Sequence, residues 1–115
     1  WAEPIVLVEG VFDAIVVGDN AVPILGSTLR TESKLFQALA INDAQVYMAL
    51  DADARKKSNY MMQSMLKYDM EVFKVDTSFI EDIGSITTEH FNLLKDKAEL
   101  VDSDLFFFNK MLDAI

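Results

Sequence analysis

The sequence predicts an α/β domain with a mainly parallel sheet of about four strands, helices on both faces and extra helices at the C-terminal end. Three observations carry this. Strand-sized apolar runs alternate with segments of helical period through the first three quarters of the chain. The first run, Ile5-Val6-Leu7-Val8, is apolar at every position, as suits a strand covered on both faces. No linker, internal repeat or low-complexity tract divides the 115 residues, a length that fits one domain with a modest core. The repeated strand–helix order favours right-handed crossovers.

Glu9-Gly10 ends the first strand, and residues 11–17 form a helix with Phe12, Ile15 and Val16 expected on one side. Gly18-Asp19-Asn20 is a turn signal. Residues 22–25 make a second short strand, in which Pro23 limits pairing. A helix over about 32–41 follows, with Thr31 as N-cap and Leu35, Phe36, Leu39 and Ala40 as its core stripe. Residues 45–50 are the third strand, running into Asp51-Ala52-Asp53. The helix over about 54–68 turns Met61, Met62, Met65 and Leu66 inward. Its Arg55-Lys56-Lys57 lies at the end the helix dipole disfavours, unless negative charge sits nearby. Residues 70–75 are a fourth strand. Beyond it come a loop over 77–86, a helix capped by Thr87 or Thr88 running to about 98, and a last helix over 105–115 behind Asp102-Ser103-Asp104. No fifth strand is expected. Residues 1–82 thus form the core and 83–115 a helical extension of the same domain.

Ten Lys and Arg against nineteen Asp and Glu give a net charge of −9 and a pI near 4.4. A domain that grips nucleic acid alone carries a basic stripe, and this one has none. If the chain works on nucleic acid, its acids must be concentrated around metal ions while a partner supplies the grip. The absence of cysteine excludes a disulfide scaffold, a thiolate zinc site and a cysteine nucleophile. No apolar run approaches the roughly 20 residues that span a bilayer, and Trp1-Ala2-Glu3-Pro4 has no basic signal-peptide start. A cytoplasmic protein with no membrane partner is expected, and the opening on Trp1 reads as a piece of a longer chain.

Ligands of an open parallel sheet gather at the carboxyl ends of its strands. Glu9 follows the first strand, Gly26-Ser27 the second, Asp51 and Asp53 the third, and Glu81-Asp82 lies in the loop after the fourth. In extended geometry Asp51 and Asp53 point the same way. Beside Glu9 they bring three carboxylates together, and at least one pKa rises unless a cation binds. Mg²⁺ or Mn²⁺ suits such oxygen ligands, and two ions would clamp the attacking and leaving oxygens of phosphoryl transfer. A D-x-D alone is common, and strand-end acids often only cap helices. The pairing of Glu9-Gly10 with Asp51-Ala52-Asp53 on this strand–helix order is more particular.

Val8-Glu9-Gly10-Val11-Phe12-Asp13-Ala14, Leu25-Gly26-Ser27-Thr28-Leu29 and Ala49-Leu50-Asp51-Ala52-Asp53-Ala54 resemble the Toprim domain. This Rossmann-like, three-layer module is shared by DNA primases, type IA and type II topoisomerases, recombination mediators and overcoming-lysogenization-type nucleases. Asp13 in the E-G-x-x-D pattern and the L-G-S turn look most like bacterial-type and phage primases. So do Glu81-Asp82-Ile83-Gly84-Ser85-Ile86-Thr87 and the closing Leu105-Phe106-Phe107-Phe108-Asn109. The resemblance implies that Glu9 is a metal-linked residue or general acid–base, that Asp51 and Asp53 bind metal, and that Asp82 helps hold a second ion. Asp13 would support the site, while Gly10, Gly26 and Ser27 would let nucleotide phosphates approach. The implied function is RNA primer synthesis on single-stranded DNA from ribonucleoside triphosphates, with a basic domain holding template and a replicative helicase as a possible partner. A Toprim-type nuclease and a non-catalytic docking module are alternatives.

This sequence departs from the primase pattern in places. Arg55-Lys56-Lys57 stands where a small Ala-Gly pair usually opens the helix, so Arg55, Lys56 and Lys57 either contact nucleotide phosphates or offset the carboxylates. Ile83 replaces a usual proline, and no upstream basic region or zinc module is visible. A phosphate-receiver domain is disfavoured, because it needs an acid pair after the first strand and a lysine after a fifth. His90, the methionines and the tyrosines read as surface and core residues. Phe106, Phe107 and Phe108 cannot all face one core from one helix.

Overall fold

The computed structural model describes residues 4–24 and 34–114. The uniformly apolar strand Ile5–Val8 (β1) is buried along its whole length and stands second in a five-stranded sheet. The other strands are Ala21–Pro23 (β2), Val46–Met48 (β3), Val72–Lys74 (β4) and Glu99–Leu100 (β5), in the order β2-β1-β3-β4-β5. The first four run parallel and β5 pairs antiparallel with β4. Leu7 lies between Val22 and Met48, and Tyr47 between Val6 and Phe73. Pro23 is accommodated because β2 is an edge strand.

Alternation along the strands sends side chains into two cores. Ile5, Leu7, Val46, Met48 and Val72 pack with Phe36 and Leu39 of one helix, Lys34–Ile41 (α2), and with Met61, Met62 and Met65 of another, Arg55–Lys67 (α3). Val6, Val8, Ala49 and Val75 pack on the opposite face with Ile83 and Phe91. That second core is closed by Ala14, Val16 and Val17 of the helix Val11–Val17 (α1) and Leu94 of the helix Thr88–Asp96 (α4). The last helix, Ser103–Ala114 (α5), sets Phe106 against the first core and leaves Phe108 exposed. Helices therefore cover both faces of the sheet. Tyr47 stacks on Phe73 at 4.7 Å, with the Lys95 ammonium 5.0 Å from its ring centre. Tyr47 is thus committed to packing.

Three expectations are corrected. The sheet has five strands, not about four, and the chain beyond Asp96 does not continue as helix to residue 98. Glu99 and Leu100 are both exposed and carry no strand pattern; β5 is fixed instead by pairing with Phe73 and Lys74 and by the Val101 amide donating to Val72 O at 2.8 Å. On α1, Phe12 and Ile15 face outward, at 79% and 69% exposure. The inner face holds Asp13 instead, because its carboxylate accepts from backbone amides on either side of the helix start. Among the described residues no helix is long and apolar enough to cross a membrane.

The connection from β1 leads to β2 on one side, and the chain later enters β3 on the other. A sheet whose order reverses in this way opens a crevice beyond the carboxyl ends of the two strands flanking the reversal, here β1 and β3. Residues after 82 contribute both to the sheet, through β5, and to the second core, through Ile83 and Phe91. Replacing the fully buried Phe91 with alanine is expected to cost about 3–5 kcal/mol in urea unfolding. Phe79→Ala, at a side chain 90% exposed, should stay within about 0.5 kcal/mol of the parent.

Candidate functional site

Glu9 and Asp51 extend the two strands that flank the crevice. Thr77 Oγ1 donates to Leu50 O at 2.9 Å in a buried bond, which pins the end of the β3 segment to the loop after β4. Asp51 itself is extended (φ −59, ψ 150), and its carbonyl then accepts from the Ala54 amide at 2.9 Å, closing a 3₁₀ turn over Ala52–Ala54. The D-x-D is therefore not extended through its second acid. Asp53 sits in the turn and is exposed, while Asp51 is partly buried. The extended geometry that would point both side chains the same way ends at Asp51, although Asp53 is near enough for its charge to act on Asp51.

Asp13 organises the opposite wall. It stands in the first turn of α1, where a carboxylate suits the dipole. One oxygen accepts from the Gly10 amide at 3.1 Å and the other from the Gly84 amide at 2.7 Å. This joins the turn after β1 to the 3₁₀ turn Ile83–Ser85, which Asp82 precedes. Gly84 is needed there: a Cβ would lie 3.1 Å from Asp13 Oδ1 and 3.3 Å from Asp82 Oδ1 and Phe12 Cβ. A side chain at residue 84 would drive the acids apart.

Asp51, Asp13, Asp82, Gly10, Phe12 and Gly84 line an open cavity of about 390 Å³. On its other side Asp51 meets a second cavity of about 260 Å³, shared with Arg55, Asn59, Lys74 and Thr77. Burial first, and then the charges of Asp13, Glu9, Asp53 and Asp82, push the Asp51 carboxyl from 3.8 up to about 6. Two carboxylate oxygens, Glu9 Oε1 and Asp51 Oδ1, are buried with no hydrogen-bond partner. Buried polar atoms are normally satisfied, so these two suit a missing positive group. As they stand, no three or more acidic or histidine side chains among the described residues are gathered to hold one ion between them. The donor set fits a hard cation in kind, being all carboxylate.

The structure thus brings Asp13, Asp51 and Asp82 to one cavity, with Glu9 and the exposed Asp53 near enough for their charges to act on Asp51. Gly26 and Ser27 lie outside the described residues. Lys56 is exposed, and Arg55 lines the second cavity. Lys57 reaches Glu9, with its Nζ 3.1 Å from Glu9 Oε2. The sequence offers Lys57 with its basic neighbours as a group that contacts phosphates or offsets the carboxylates, and its helical phase singles it out: it is one turn before the buried Met61 and two before Ser64 and Met65, on the inward stripe of α3.

No family model matches the chain, and no curated protein matches it. Among solved structures, part of the Aquifex aeolicus primase (zinc-binding and RNA polymerase domains) shares its fold, with a TM-score of 0.67 and 23% identity over 84% of this chain and 26% of that one. The chain therefore spans about a quarter of that neighbour. This likeness agrees with a Rossmann-like, three-layer α/β arrangement.

A raised carboxyl pKa means the folded state holds its proton more tightly than the unfolded chain. The stabilising contribution is complete below about pH 4 and is lost as pH rises through about 6. In EDTA the parent should lose about 1–2 kcal/mol more than Asp51→Asn between about pH 4 and pH 7, read from urea midpoints at each pH.

Proposed function

We propose that this chain is the catalytic Toprim domain of a DNA primase, which makes RNA primers on single-stranded DNA by metal-dependent nucleotidyl transfer. The observation that carries the reading is the pair of orphaned oxygens, Glu9 Oε1 and Asp51 Oδ1, at the strand-order reversal of the sheet. Support for the primase form of the reading comes from the motif resemblance and from the fold shared with a primase.

Glu9, Asp51, Asp53 and Asp82 would hold Mg²⁺ or Mn²⁺, with two ions expected from the motif. Bound there, the metal would supply positive charge for the phosphate oxygens as a 3′-hydroxyl displaces pyrophosphate from a ribonucleoside triphosphate. The chain's own contribution is positioning and electrostatics. Asp13 keeps the Asp82 turn against the start of α1 by accepting from the Gly84 and Gly10 amides. Glu9, with one oxygen free of partners, is suited to bind metal or to take up a proton. Arg55 and Lys56, at the start of α3, would meet the triphosphate, and Gly10, Gly26 and Ser27 would let it come close. A chain of charge −9 is unsuited to hold template alone. The reading therefore assigns that grip to a basic region of a longer protein, in the cytoplasm of a bacterium or phage-infected host, with a replicative helicase as a further partner.

Two assays test this. A fluorescent ribonucleoside triphosphate should bind the chain only when Mg²⁺ or Mn²⁺ is present, and Asp51→Asn should weaken binding at least about tenfold. Within a longer protein that supplies the template-holding basic region, labelled ribonucleotides offered with a single-stranded DNA template should be incorporated in a metal-dependent way by the parent and not by Glu9→Gln. Metal-dependent cutting of DNA without nucleotides would assign a nuclease instead. Binding of neither metal nor nucleotide would leave a docking module.

A further inference from the structure

Arg55-Lys56-Lys57 places three positive charges at the helix end that repels them, a placement that needs an anion nearby. Lys57 has one. Its Nζ lies 3.1 Å from Glu9 Oε2, with the two side chains only 20% and 19% exposed. The oxygens of Glu9 are thus in different states: Oε2 is matched to a protein cation, while Oε1 is buried with no partner. Asp51 Oδ1 is buried without a partner as well. Both oxygens of Asp13 already accept from backbone amides, those of Gly10 and Gly84. Lys57 therefore brings a side-chain positive charge to Glu9, and two buried carboxylate oxygens among the described residues stay unmatched.

We propose that Lys57 is a built-in cation that stands in for one of the two metal ions expected from the motif, so that the site takes up a single divalent ion, matched to Glu9 Oε1 and Asp51 Oδ1. The inference rests on the metal-site reading above and changes its stoichiometry. A lysine ammonium is a compact point charge suited to this place. A second divalent ion beside the same glutamate would meet it at short range in a partly buried setting, where like charges repel strongly. Unlike a metal, this cation cannot be removed by a chelator, so Glu9 stays paired in the metal-free protein. Lys57 is a positioning residue on this view: it fixes one oxygen of Glu9 and leaves the other for the ion.

The test counts Mn²⁺ bound to the 115-residue chain by calorimetry and by the electron paramagnetic resonance signal of free Mn²⁺. The parent and Lys57→Arg should bind one ion, and the neutral variants Lys57→Met and Lys57→Gln should bind two. In EDTA the neutral variants should unfold roughly 4 °C below the parent, and saturating Mn²⁺ should restore them. Two ions on the parent, one ion on both neutral variants, or a loss of thermal stability that Mn²⁺ does not restore would overturn the inference while leaving the metal site standing. No Mn²⁺ on the parent, or undiminished binding in Asp51→Asn, would overturn the metal-site reading and this inference with it.

Discussion

Repulsion among carboxylates is the constraint to which the crevice end of this fold answers. Glu9, Asp13, Asp53 and Asp82 all act on Asp51, which is partly buried. Each of the three innermost acids meets the problem differently. Asp13 spreads its charge over two backbone amides. Glu9 pairs with Lys57 through one oxygen. Asp51 has no local partner for its buried oxygen and holds its proton to about pH 6. Asp51 is therefore the side chain with most to gain from an incoming cation, since an ion that replaces its proton relieves both burial and repulsion.

The scaffold makes this crowding tolerable by bearing the cost elsewhere. Two apolar cores grip the strands from both faces, and fully buried residues such as Val6, Leu7, Val46, Phe36 and Phe91 fix the strand ends. The Thr77 bond to Leu50 and the Gly84 bond to Asp13 then carry that rigidity outward to the acids. A site built at the ends of packed strands is held more exactly in place than one on a free loop, and strained electrostatics at such a site is what a binding function requires.

Much of the fold was legible because its strands and core helices follow simple periods. Ile5–Val8, the Leu35-Phe36-Leu39-Ala40 stripe and the Met61-Met62-Met65-Leu66 stripe all read correctly from spacing alone. What escaped was set by contacts distant in sequence. Strand β5 has two exposed residues and exists through its pairing with β4. Helix α1 turns Asp13 inward and Phe12 outward because an amide 71 positions away binds the carboxylate. The placement of Glu9 and Asp51 beyond β1 and β3, and of Asp82 in the loop after β4, was legible from the strand–helix order. The local rotation of Asp53 was hidden by a 3₁₀ turn that the alternation rule does not foresee. Lys57 was hidden among neighbours of the same charge, and only its helical phase with Met61 set it apart.

The bond between Asp13 and Gly84 also bears on the order in which the molecule comes together. Contacts within the first core draw largely on residues 5–72, whereas the second core needs Ile83 and Phe91. Closing a long chain segment costs entropy that only later contacts return. During synthesis, which runs from the N-terminus, Glu9, Asp13 and Asp51 emerge well before the amide that orients Asp13. Glu9 and Asp51 extend β1 and β3 and come together as the first core forms, whereas Asp13 is fixed only once the Gly84 amide is in place. The wall that carries Asp13 and Asp82 is thus added to a framework whose other side is already held by paired strands.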